Sequence, residues 1–462
     1  MTAHLPFPLR VAVVGSGPAG FYAAEALLRS PDVAAEVDVF DRLPTPYGLV
    51  RGGVAPDHQK IKTVTRIYER TAARPSFRFL GNVMLGRDLS VDDLRAHYHQ
   101  IVYATGNEAD RRLGIPGEGI WGSTPSAVFV GWYNGHPDYR AAKIRLSAER
   151  VAVIGNGNVA VDVARILLRT PEELAATDLA GHALEALSGS GVREVWMLGR
   201  RGPAQAAFTP QELKELGELA DADLRIDPAD LELDPASAAE VESSSSRQRN
   251  LELLREFAGR PPRGGHRTLH LRFCVSPTEI LADEQGAVRA LVLARNRLAA
   301  RPDGSVAARP TGETETVEVG LVLAAIGYAA DPIPGVPFDD RARVIANVDG
   351  RVCDAATRAA VPNEYVVGWA RTGPQGLIGS HKGGSAEVVE RMLADGRAGA
   401  VAGRELPPRT AIDELLAARG VQVVGFSDWK RLDEVEVARG ERRGAPRDKI
   451  ADVDAMLALL GD

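Results

Sequence analysis

The stretch Leu9-Arg10-Val11-Ala12-Val13-Val14-Gly15-Ser16-Gly17-Pro18-Ala19-Gly20 decides the fold of this 462-residue chain. Its apolar run over Leu9–Val14 predicts a strand, and the helical periodicity of Pro18–Arg29 predicts a helix after the glycines. A second apolar run, Glu36–Phe40, completes a βαβ unit and is followed by Asp41. Glycine in such a turn lets the backbone approach a pyrophosphate, whose charge then lies at the N-terminus of the helix. The stretch therefore predicts a dinucleotide-binding domain.

A second fingerprint of the same kind is Gly155-Asn156-Gly157-Asn158-Val159-Ala160, which follows the apolar run Val151–Ile154. The next predicted strand, Val192–Leu198, is followed by Arg200-Arg201. An acid after the second strand hydrogen-bonds a free ribose 2′-hydroxyl, whereas arginine accommodates a 2′-phosphate. Asp41 therefore indicates FAD or NAD at the first site, and the arginines indicate NADP at the second. Two such sites suggest a flavoenzyme that receives hydride from NADPH.

The order of the segments predicts one domain inserted into another. Residues 101–106 and 321–327 are similar buried strands that end at glycine, and we interpret them as two chain crossings between domains. The predicted fold class is α/β, with two Rossmann-like dinucleotide-binding domains of the three-layer ββα type. The FAD-binding domain takes residues 1–107 plus 331–462, and the inserted NADP-binding domain takes residues 108–330.

Several local features are predicted as well. The Pro/Gly-rich run 43–53 is expected to be a loop, and 170–191 a partly helical insertion. Thr209-Pro210-Gln211-Glu212 has capping-box spacing and predicts a helix through about Leu219. Ser243–Ser246 with its flanks is expected to be a solvent loop. Residues 268–325 are expected to be strands.

Composition excludes several classes of function. The net charge is −7, which gives no support to nucleic-acid binding. No apolar run reaches the roughly 20 residues of a membrane span, and no secretory signal is visible at residues 1–10, so a cytoplasmic location is the default. The two cysteines, Cys274 and Cys353, form no Cys-x-x-Cys pair. No metal site is therefore predicted, and the redox cysteines of a disulfide reductase are absent.

Three long motifs resemble those of the adrenodoxin-reductase-type ferredoxin–NADP reductase family. They are Pro44-Thr45-Pro46-Tyr47-Gly48-Leu49-Val50-Arg51 with Gly53-Val54-Ala55-Pro56-Asp57-His58, Arg200-Arg201-Gly202-Pro203 with Gln205-Ala206-Ala207-Phe208-Thr209, and Gly368-Trp369-Ala370-Arg371-Thr372-Gly373-Pro374-Gln375-Gly376-Leu377-Ile378-Gly379. The resemblance covers essentially the whole chain, including the segment around Trp429 and Asp433. Two departures are Asp41, where the family usually has Glu, and Ser380-His381-Lys382, where it has Thr-Asn-Lys.

The resemblance implies the residues that bind each cofactor. For FAD they are Gly15, Ser16, Gly17, Pro18, Ala19, Gly20, Asp41, Leu49, Val83, Trp369, Gly376, Leu377 and Ile378. For NADP they are Asn156, Gly157, Asn158, Val159, Arg200, Arg201, Glu212 and Gly376. Trp369 is placed in an apolar strand, a helix is expected from near Ile378 through Leu393, and Glu212 has a second possible role as the capping partner of Thr209.

The resemblance also implies a reaction. Hydride passes from NADPH to FAD, and single electrons then leave for an acidic iron–sulfur ferredoxin. His58 and Glu215 match a pair near the flavin–nicotinamide contact, where they would orient the nicotinamide or move a proton. From sequence alone, Glu215 is equally a solvated helix carboxylate. Basic candidates for the ferredoxin contact are Arg247, Arg249, Arg263 and Arg267, and the chain is expected to be a monomer or a weak dimer.

Three alternatives stay open at this point. A flavin monooxygenase shares both fingerprints, but its Phe-x-Gly-x-x-x-His signature is only approached at Phe129-Val130-Gly131, with His136 one residue late. A glutamate-synthase-like flavin subunit requires cysteine clusters in itself or nearby. A non-enzymatic NADP-sensing module requires neither Trp369 nor Gly376.

Overall fold

The first part of the chain alternates strands and helices, as the fingerprint predicts. The computed structural model describes residues 7–107, 109–302 and 305–461. The first elements are β1 (Leu9–Val14), α1 (Pro18–Leu28), β2 (Ala35–Phe40), α2 (Leu49–Gly52), α3 (Gln59–Lys62), α4 (Thr65–Ala72), β3 (Phe77–Leu80), α5 (Val91–His97) and β4 (Gln100–Tyr103). The predicted strand β1 and helix α1 are confirmed to within one residue.

The middle of the chain repeats this alternation and adds long antiparallel strands. Its first elements are β5 (Ala109–Asp110), β6 (Ser123–Pro125), α6 (Ser126–Tyr133), β7 (Arg150–Ile154), α7 (Asn158–Leu168), α8 (Pro171–Ala175) and α9 (Gly181–Ser188). They are followed by β8 (Glu194–Leu198), α10 (Pro210–Leu216), β9 (Ala222–Ile226), α11 (Pro235–Glu242), α12 (Ser245–Ala258), β10 (Arg267–Arg272), β11 (Val275–Ala282), β12 (Val288–Ala300), β13 (Val306–Glu318), β14 (Leu321–Ala324) and β15 (Tyr328–Ala329). The helical insertion before β8 is confirmed.

The last part of the chain returns to the first sheet and ends in helices. Its elements are β16 (Phe338–Asp339), β17 (Val344–Ile345), β18 (Asn347–Val348), β19 (Arg351–Cys353), β20 (Ala360–Val366), α13 (Trp369–Thr372), α14 (His381–Asp395), α15 (Ala411–Ala418), α16 (Phe426–Glu441) and α17 (Val453–Gly461). A 3-10 turn over Ile378–Ser380 leads into α14, so the predicted helix is confirmed. Among the helices of the described residues, none is both long and apolar enough to cross a membrane.

The first sheet joins the two ends of the chain. Its strand order is β18-β19-β20-β4-β1-β2-β3, and the five strands from β20 to β3 run parallel. Its core on one face includes α1 and α14, through Leu27 and Val388, and on the other face α5 and α15, through Leu94 and Leu416. Because β20 pairs directly with β4, two distant segments share one hydrophobic core.

The second sheet carries the third layer of the predicted architecture. Its six strands run parallel in the order β6-β14-β7-β8-β10-β9. Helices α7, α10 and α12 pack on one face through Ile166, Leu213 and Leu254. The antiparallel sheet β11-β12-β13 packs on the other face, where Ile154 and Leu291 belong to one apolar cluster. The α/β fold with two Rossmann-like units is therefore confirmed.

A short antiparallel ribbon joins the two sheets. In it β5 pairs with β15, with Asp110 opposite Tyr328. The domain boundaries predicted from the sequence fall next to this ribbon, and residue 108, at which the inserted domain was placed to begin, lies outside the described residues. The boundaries themselves stay a prediction.

Four local predictions were wrong. The segment around Ser243–Ser246 is helical on both sides, because Ser244 caps α12 with its hydroxyl rather than marking a loop. The run 43–53 includes one helical turn, α2, and Trp369 lies in the turn α13 after β20 rather than in a strand. Helix α10 ends at Leu216, since Gly217 follows as its C-cap.

A buried carboxylate anchors the C-terminal helices. Glu436 of α16 is fully buried and accepts from the guanidinium of Arg51, in α2, at 2.7 Å. It also accepts from Arg447 at 3.3 Å and from the backbone N–H of Ile450 at 2.9 Å. The extension thereby holds the loop that carries the first family motif.

Replacing Glu436 with alanine is expected to lower the free energy of unfolding by about 3–5 kcal/mol, because two arginines lose their buried partner. Urea denaturation followed by circular dichroism measures the change. Glu434→Ala, an exposed position on the same helix, is the control and should change stability by less than about 0.5 kcal/mol. Equal stability of the two variants would contradict the anchoring role.

Candidate cofactor and proton-transfer site

A cavity opens where β1 and β4 end and α1 begins. It is lined by Gly15, Ser16, Gly17, Pro18, Ala19, Asp41, Gly48, Leu49, Ala104, Thr105, Gly106, Asn107, Trp369, Ile378 and His381. A second cavity shares Asp41, Gly48 and Leu49 in its lining and extends toward Val130 of α6 and Tyr328 of β15. The two cavities together form an elongated space that begins at the first fingerprint and reaches the inserted domain.

The first glycine of each fingerprint has no room for a side chain. Gly15 has φ +107°, and a Cβ there would lie 2.3 Å from the carbonyl oxygen of Ala104. Gly155 has φ +135°, and a Cβ there would lie 2.3 Å from the carbonyl oxygen of Ala325. Both turns therefore require glycine for the positive φ and for the close approach of a neighbouring strand end.

Asp41 connects the end of β2 to the fingerprint loop. Its carboxylate accepts from the backbone N–H of Ser16 at 3.0 Å, from the Ser16 hydroxyl, and from the N–H of Leu43 at 3.0 Å. Asp41 also lines the cavity. Its carboxylate is thus held in place beside the fingerprint loop.

Trp369 forms one wall of the same cavity. Its indole N–H donates to the carbonyl oxygen of Gln375 at 3.0 Å, and its ring stacks on Tyr328 with centroids 5.8 Å apart. His381, the first residue of α14, approaches the ring edge-on at 6.2 Å. The far end of the chain therefore completes a cavity that the N-terminal unit begins.

Four residues expected at the FAD site do not line either cavity. Gly20 is buried within α1, and Val83 is buried behind Asp41, to whose carbonyl its N–H donates at 2.8 Å. Gly376 and Leu377 lie on an exposed loop, where the Leu377 side chain is 62% exposed. Their contact with a cofactor stays a prediction.

The second fingerprint is joined to the loop before α10. The Asn156 carbonyl accepts from the N–H groups of Ala207 and Phe208, and the Asn158 side chain accepts from the N–H of Thr209 at 2.9 Å. Gly157 is the N-cap of α7, and Val159 is half-buried in its first turn. The buried side-chain nitrogen of Asn156 has no hydrogen-bond partner among the described residues. A buried donor without a partner is expected where a ligand completes the site.

Arg200 and Arg201 lie at the exposed end of β8, as expected. Partial burial, together with the positive charges of Arg200, Arg247 and Arg301, lowers the pKa of Arg201. The charge of Glu240, which pairs with Arg247 at 2.7 Å, opposes this effect. Arg247, which the sequence analysis assigned to the ferredoxin contact, therefore lies near Arg201 but with its charge compensated.

The structure brings His58 and Glu215 together across 157 positions of sequence. His58 Nε2 lies 2.7 Å from a carboxylate oxygen of Glu215. Burial lowers the pKa of His58, but the Glu215 carboxylate outweighs it, so the pKa of His58 is raised above its usual value near 6.5. Burial raises the pKa of Glu215, yet hydrogen bonds from His58 and Gln211 bring it below the usual range. The pair therefore favours a charged imidazolium beside a carboxylate.

Glu212 takes only half of the predicted capping role. Its backbone N–H donates to the Thr209 hydroxyl at 3.3 Å, but its carboxylate accepts from Arg165 at 3.1 Å instead. Ligand atoms of His58, Glu212 and Glu215 lie within 4.8 Å of one another. Since Arg165 pairs with both carboxylates, its guanidinium supplies the positive charge that a metal ion would bring, and we assign no metal here.

Sequence reasoning missed three residues around this pair. Arg165 and Asp162 lie on α7, and Asp57 precedes His58 within the first family motif. Arg165 is fully buried and pairs with Asp57 at 2.6 Å and with Asp162 at 2.7 Å. Burial raises the pKa of Asp57, but the hydrogen bonds and charge of Arg165 lower it to about 2, whereas for Asp162 burial outweighs the charge of Arg165 and raises the pKa. The sequence did contain a signal for these residues. Asp162 and Arg165 are charged residues among the apolar residues of α7, and Asp57 directly precedes His58 in the first family motif.

Comparisons with known proteins agree with this geometry. A family model described as pyridine nucleotide-disulphide oxidoreductase matches residues 9–189. The chain is 44% identical over 461 residues to the NADPH-ferredoxin reductase FprA of Mycobacterium tuberculosis, covering 98% of this chain and 99% of that protein. It is 43% identical over 462 residues to the mitochondrial NADPH:adrenodoxin oxidoreductase of Homo sapiens, covering 98% and 92%. The chain belongs to the adrenodoxin-reductase-type family of ferredoxin–NADP reductases.

A solved structure of this family supports the fold throughout. The structure of Mycobacterium tuberculosis FprA in complex with NADPH superposes with a TM-score of 0.93 at 43% identity, covering 99% of this chain and 100% of that one. The resemblance inferred from the three motifs is therefore confirmed over the full length of this ferredoxin–NADP reductase.

Replacing Glu215 with glutamine is expected to lower the pKa of His58, because the main contribution that raises it is removed. Histidine side-chain NMR across a pH series measures the titration, with His58→Gln used to assign the signal. Glu218→Gln, an exposed position just beyond α10, is the control and should leave the titration unchanged.

The same substitution should also make stability depend differently on pH. A raised His58 pKa contributes stability that is fully present below the unfolded value of 6.5 and is lost as pH rises through the folded value. The wild type should thus exceed Glu215→Gln in stability at about pH 6, and the difference should shrink as the pH rises through the folded pKa of His58. A constant difference across this range would argue against the charged pair.

Proposed function

We propose that this chain is an FAD-dependent NADPH:ferredoxin oxidoreductase. The observation that carries the proposal is the contact between the two units that hold the fingerprints. The cavities beside the acid-terminated fingerprint reach Val130 and Tyr328 of the inserted unit. Separately, His58 of the first family motif contacts Glu215, which follows the arginine-terminated fingerprint. The names of the similar proteins support the same activity for this chain.

The residues present fit both dinucleotides. At the first fingerprint, open space faces Gly17, where no heavy atom lies within 4 Å of the position that a Cβ would take, and the N-terminus of α1 follows. At the second, the unpartnered Asn156 amide and the N-terminus of α7 provide donors for a pyrophosphate. The arginine patch at the end of β8 suits a 2′-phosphate, since arginine binds phosphate oxygens in a planar, bidentate way.

Each part of the chain then has a distinct task. When bound, FAD supplies acceptance of a hydride from NADPH and delivery of single electrons. Asp41 and the first fingerprint hold the ribose and pyrophosphate of FAD, and Trp369 closes its cavity. Arg200 and Arg201 select NADPH. His58 and Glu215 hold a proton close to where the two domains meet, and they orient the nicotinamide or exchange that proton.

Replacing Arg200 with alanine is expected to weaken NADPH selectively. One charge-assisted hydrogen bond is worth about 1.5–3 kcal/mol, which corresponds to a KM for NADPH raised about 10- to 150-fold. Anaerobic stopped-flow reduction of the flavin by NADPH and by NADH, followed near 450 nm, measures both reactions.

The matched control for Arg200 is Arg193→Ala, which removes an exposed arginine near the opposite end of the same strand. It should leave reduction by NADPH unchanged. An equal loss with NADH would refute the assignment of the 2′-phosphate to Arg200. Failure of the wild type to show flavin bleaching with NADPH would refute the reductase function.

The acceptor we propose is an acidic iron–sulfur ferredoxin that binds to positive charge on α12. Of the four basic candidates, Arg267 is buried and donates to the carbonyl of Arg169, and Arg263 donates to the carbonyls of Leu219 and Ala222. These two are therefore better explained as structural. Arg249 is 56% exposed and forms a surface pair with Glu252.

Replacing Arg249 with glutamate is expected to slow reduction of an acidic ferredoxin about tenfold at low salt, because charge complementarity governs the association rate. The defect should shrink as ionic strength rises. Steady-state ferredoxin reduction measures the effect. Arg87→Glu, on an exposed loop of the other domain, is the control. A simultaneous loss in flavin reduction by NADPH would indicate damage to the NADP site instead.

The competing functions find less support. Phe129-Val130-Gly131 lies buried within α6 rather than in a monooxygenase signature loop. The cytoplasmic location and the monomer or weak dimer expected from the sequence stay predictions.

A further inference from the structure

Arg165 is the charged group around which the contact between the two domains is built. It projects from α7 of the inserted unit and its side chain is fully buried. Its Nε and Nη2 atoms donate to Asp57, in the segment before α3, at 2.6 and 3.1 Å. Its Nη1 atom donates to Glu212 at 3.1 Å and lies 3.2 Å from Glu215, both on α10. One guanidinium thus bridges three segments of the fold.

The same guanidinium reaches the histidine of the pair. Arg165 Nη2 lies 2.8 Å from His58 Nε2, the atom that also lies 2.7 Å from Glu215. A single ring nitrogen cannot bond to both in one protonation state. When Nε2 carries a proton it donates to Glu215, and when Nε2 is bare its lone pair accepts from Arg165. Each state of the ring therefore has a partner already in place.

We propose that Arg165 is a positioning residue for the His58–Glu215 pair. The protonated imidazole donates to the Glu215 carboxylate, and the neutral imidazole accepts from the Arg165 guanidinium. Arg165 is at the same time tied to the other domain through Asp57. The inference rests on the proposed role of His58 and Glu215 in the reductase reaction.

The charges that face His58 come from three elements. Glu215 and Glu212 of α10 lie at 2.7 and 3.8 Å, and Asp162 of α7 lies 3.9 Å from Nδ1. Asp57 adjoins His58 in sequence, and Arg169 at the end of α7 pairs with Asp57 at 2.9 Å. Arg165 is the cation in contact with the ring. Removing the charge of Arg165 should raise the pKa of His58, and removing the charge of Asp162 should lower the pKa of His58.

Arg169 provides the matched control. It too pairs with Asp57, and with Glu173 at 3.1 Å, so it shares the tie between domains. Within the described part of the chain its guanidinium makes no hydrogen bond or ion pair to His58 or Glu215. A purely structural role of Arg165 would therefore be reproduced by Arg169→Met, whereas a positioning role would not.

The experiment uses FAD-loaded full-length variants Arg165→Met, Arg165→Lys, Asp162→Asn and Arg169→Met. Histidine side-chain NMR gives the titration of His58, and anaerobic stopped flow gives the pH profile of flavin reduction by NADPH. We expect Arg165→Met to raise the His58 pKa by about one unit, Asp162→Asn to lower it, and Arg165→Lys to return it toward wild type. The pH profile of flavin reduction should shift in the same directions. Arg169→Met should change neither the His58 pKa nor the pH profile. Should Arg165→Met not fold, Arg165→Gln takes its place with the same expected rise, because it also removes the positive charge that faces His58.

An unshifted His58 titration in Arg165→Met, or in Arg165→Gln where Arg165→Met does not fold, would overturn the inference, as would a shift of equal size in Arg169→Met. His58→Gln separates this failure from failure of the proposed function. If His58→Gln leaves the rate and pH profile of flavin reduction unchanged, the role of the pair is wrong, whatever Arg165 does. If His58→Gln changes them and the Arg165 variants do not, only the positioning role is wrong.

Discussion

Hydride transfer requires two reacting groups in near contact, so the two nucleotide cradles of this protein must face each other at a fixed distance. The buried guanidinium of Arg165 and the carboxylates around it provide a contact that holds the two units together. They join α7 and α10 of the inserted unit to the Asp57–His58 segment of the first unit. Isolated charges are costly to bury, so the cluster is stable only when both units contribute their partners. The geometry of the reaction site is thus linked to the docking of the units.

The cradles themselves depend on the backbone. In both units a strand ends at a glycine with positive φ, a neighbouring carbonyl fills the space of a side chain, and a helix N-terminus follows. This arrangement places unpaired N–H groups toward an anion. The two units then differ by the charge after the second strand, Asp41 in one and Arg200-Arg201 in the other.

The sequence was sufficient for local features with a fixed period or a required residue type. The elements β1, α1 and β7 were predicted to within one residue, because apolar periodicity and the glycines mark their ends. Serines were misleading around Ser244, since the same residue type favours solvent loops and helix N-caps. Val83 and Gly376, carried over by resemblance, line neither cavity, and their contact with a cofactor stays a prediction.

Residue identity and short spacing were enough to predict the two fingerprints, their opposite charges, the absence of a redox cysteine pair and the family. None of these needs long-range information. Folding was required to bring His58 to Glu215, to stack Trp369 on Tyr328, and to connect both units through Arg165. Those contacts join residues more than forty positions apart in sequence, and they depend on how β20 returns to the first sheet and how α7 and α10 pack. Charge at a position can be read from the sequence, but the partner of that charge is fixed by packing.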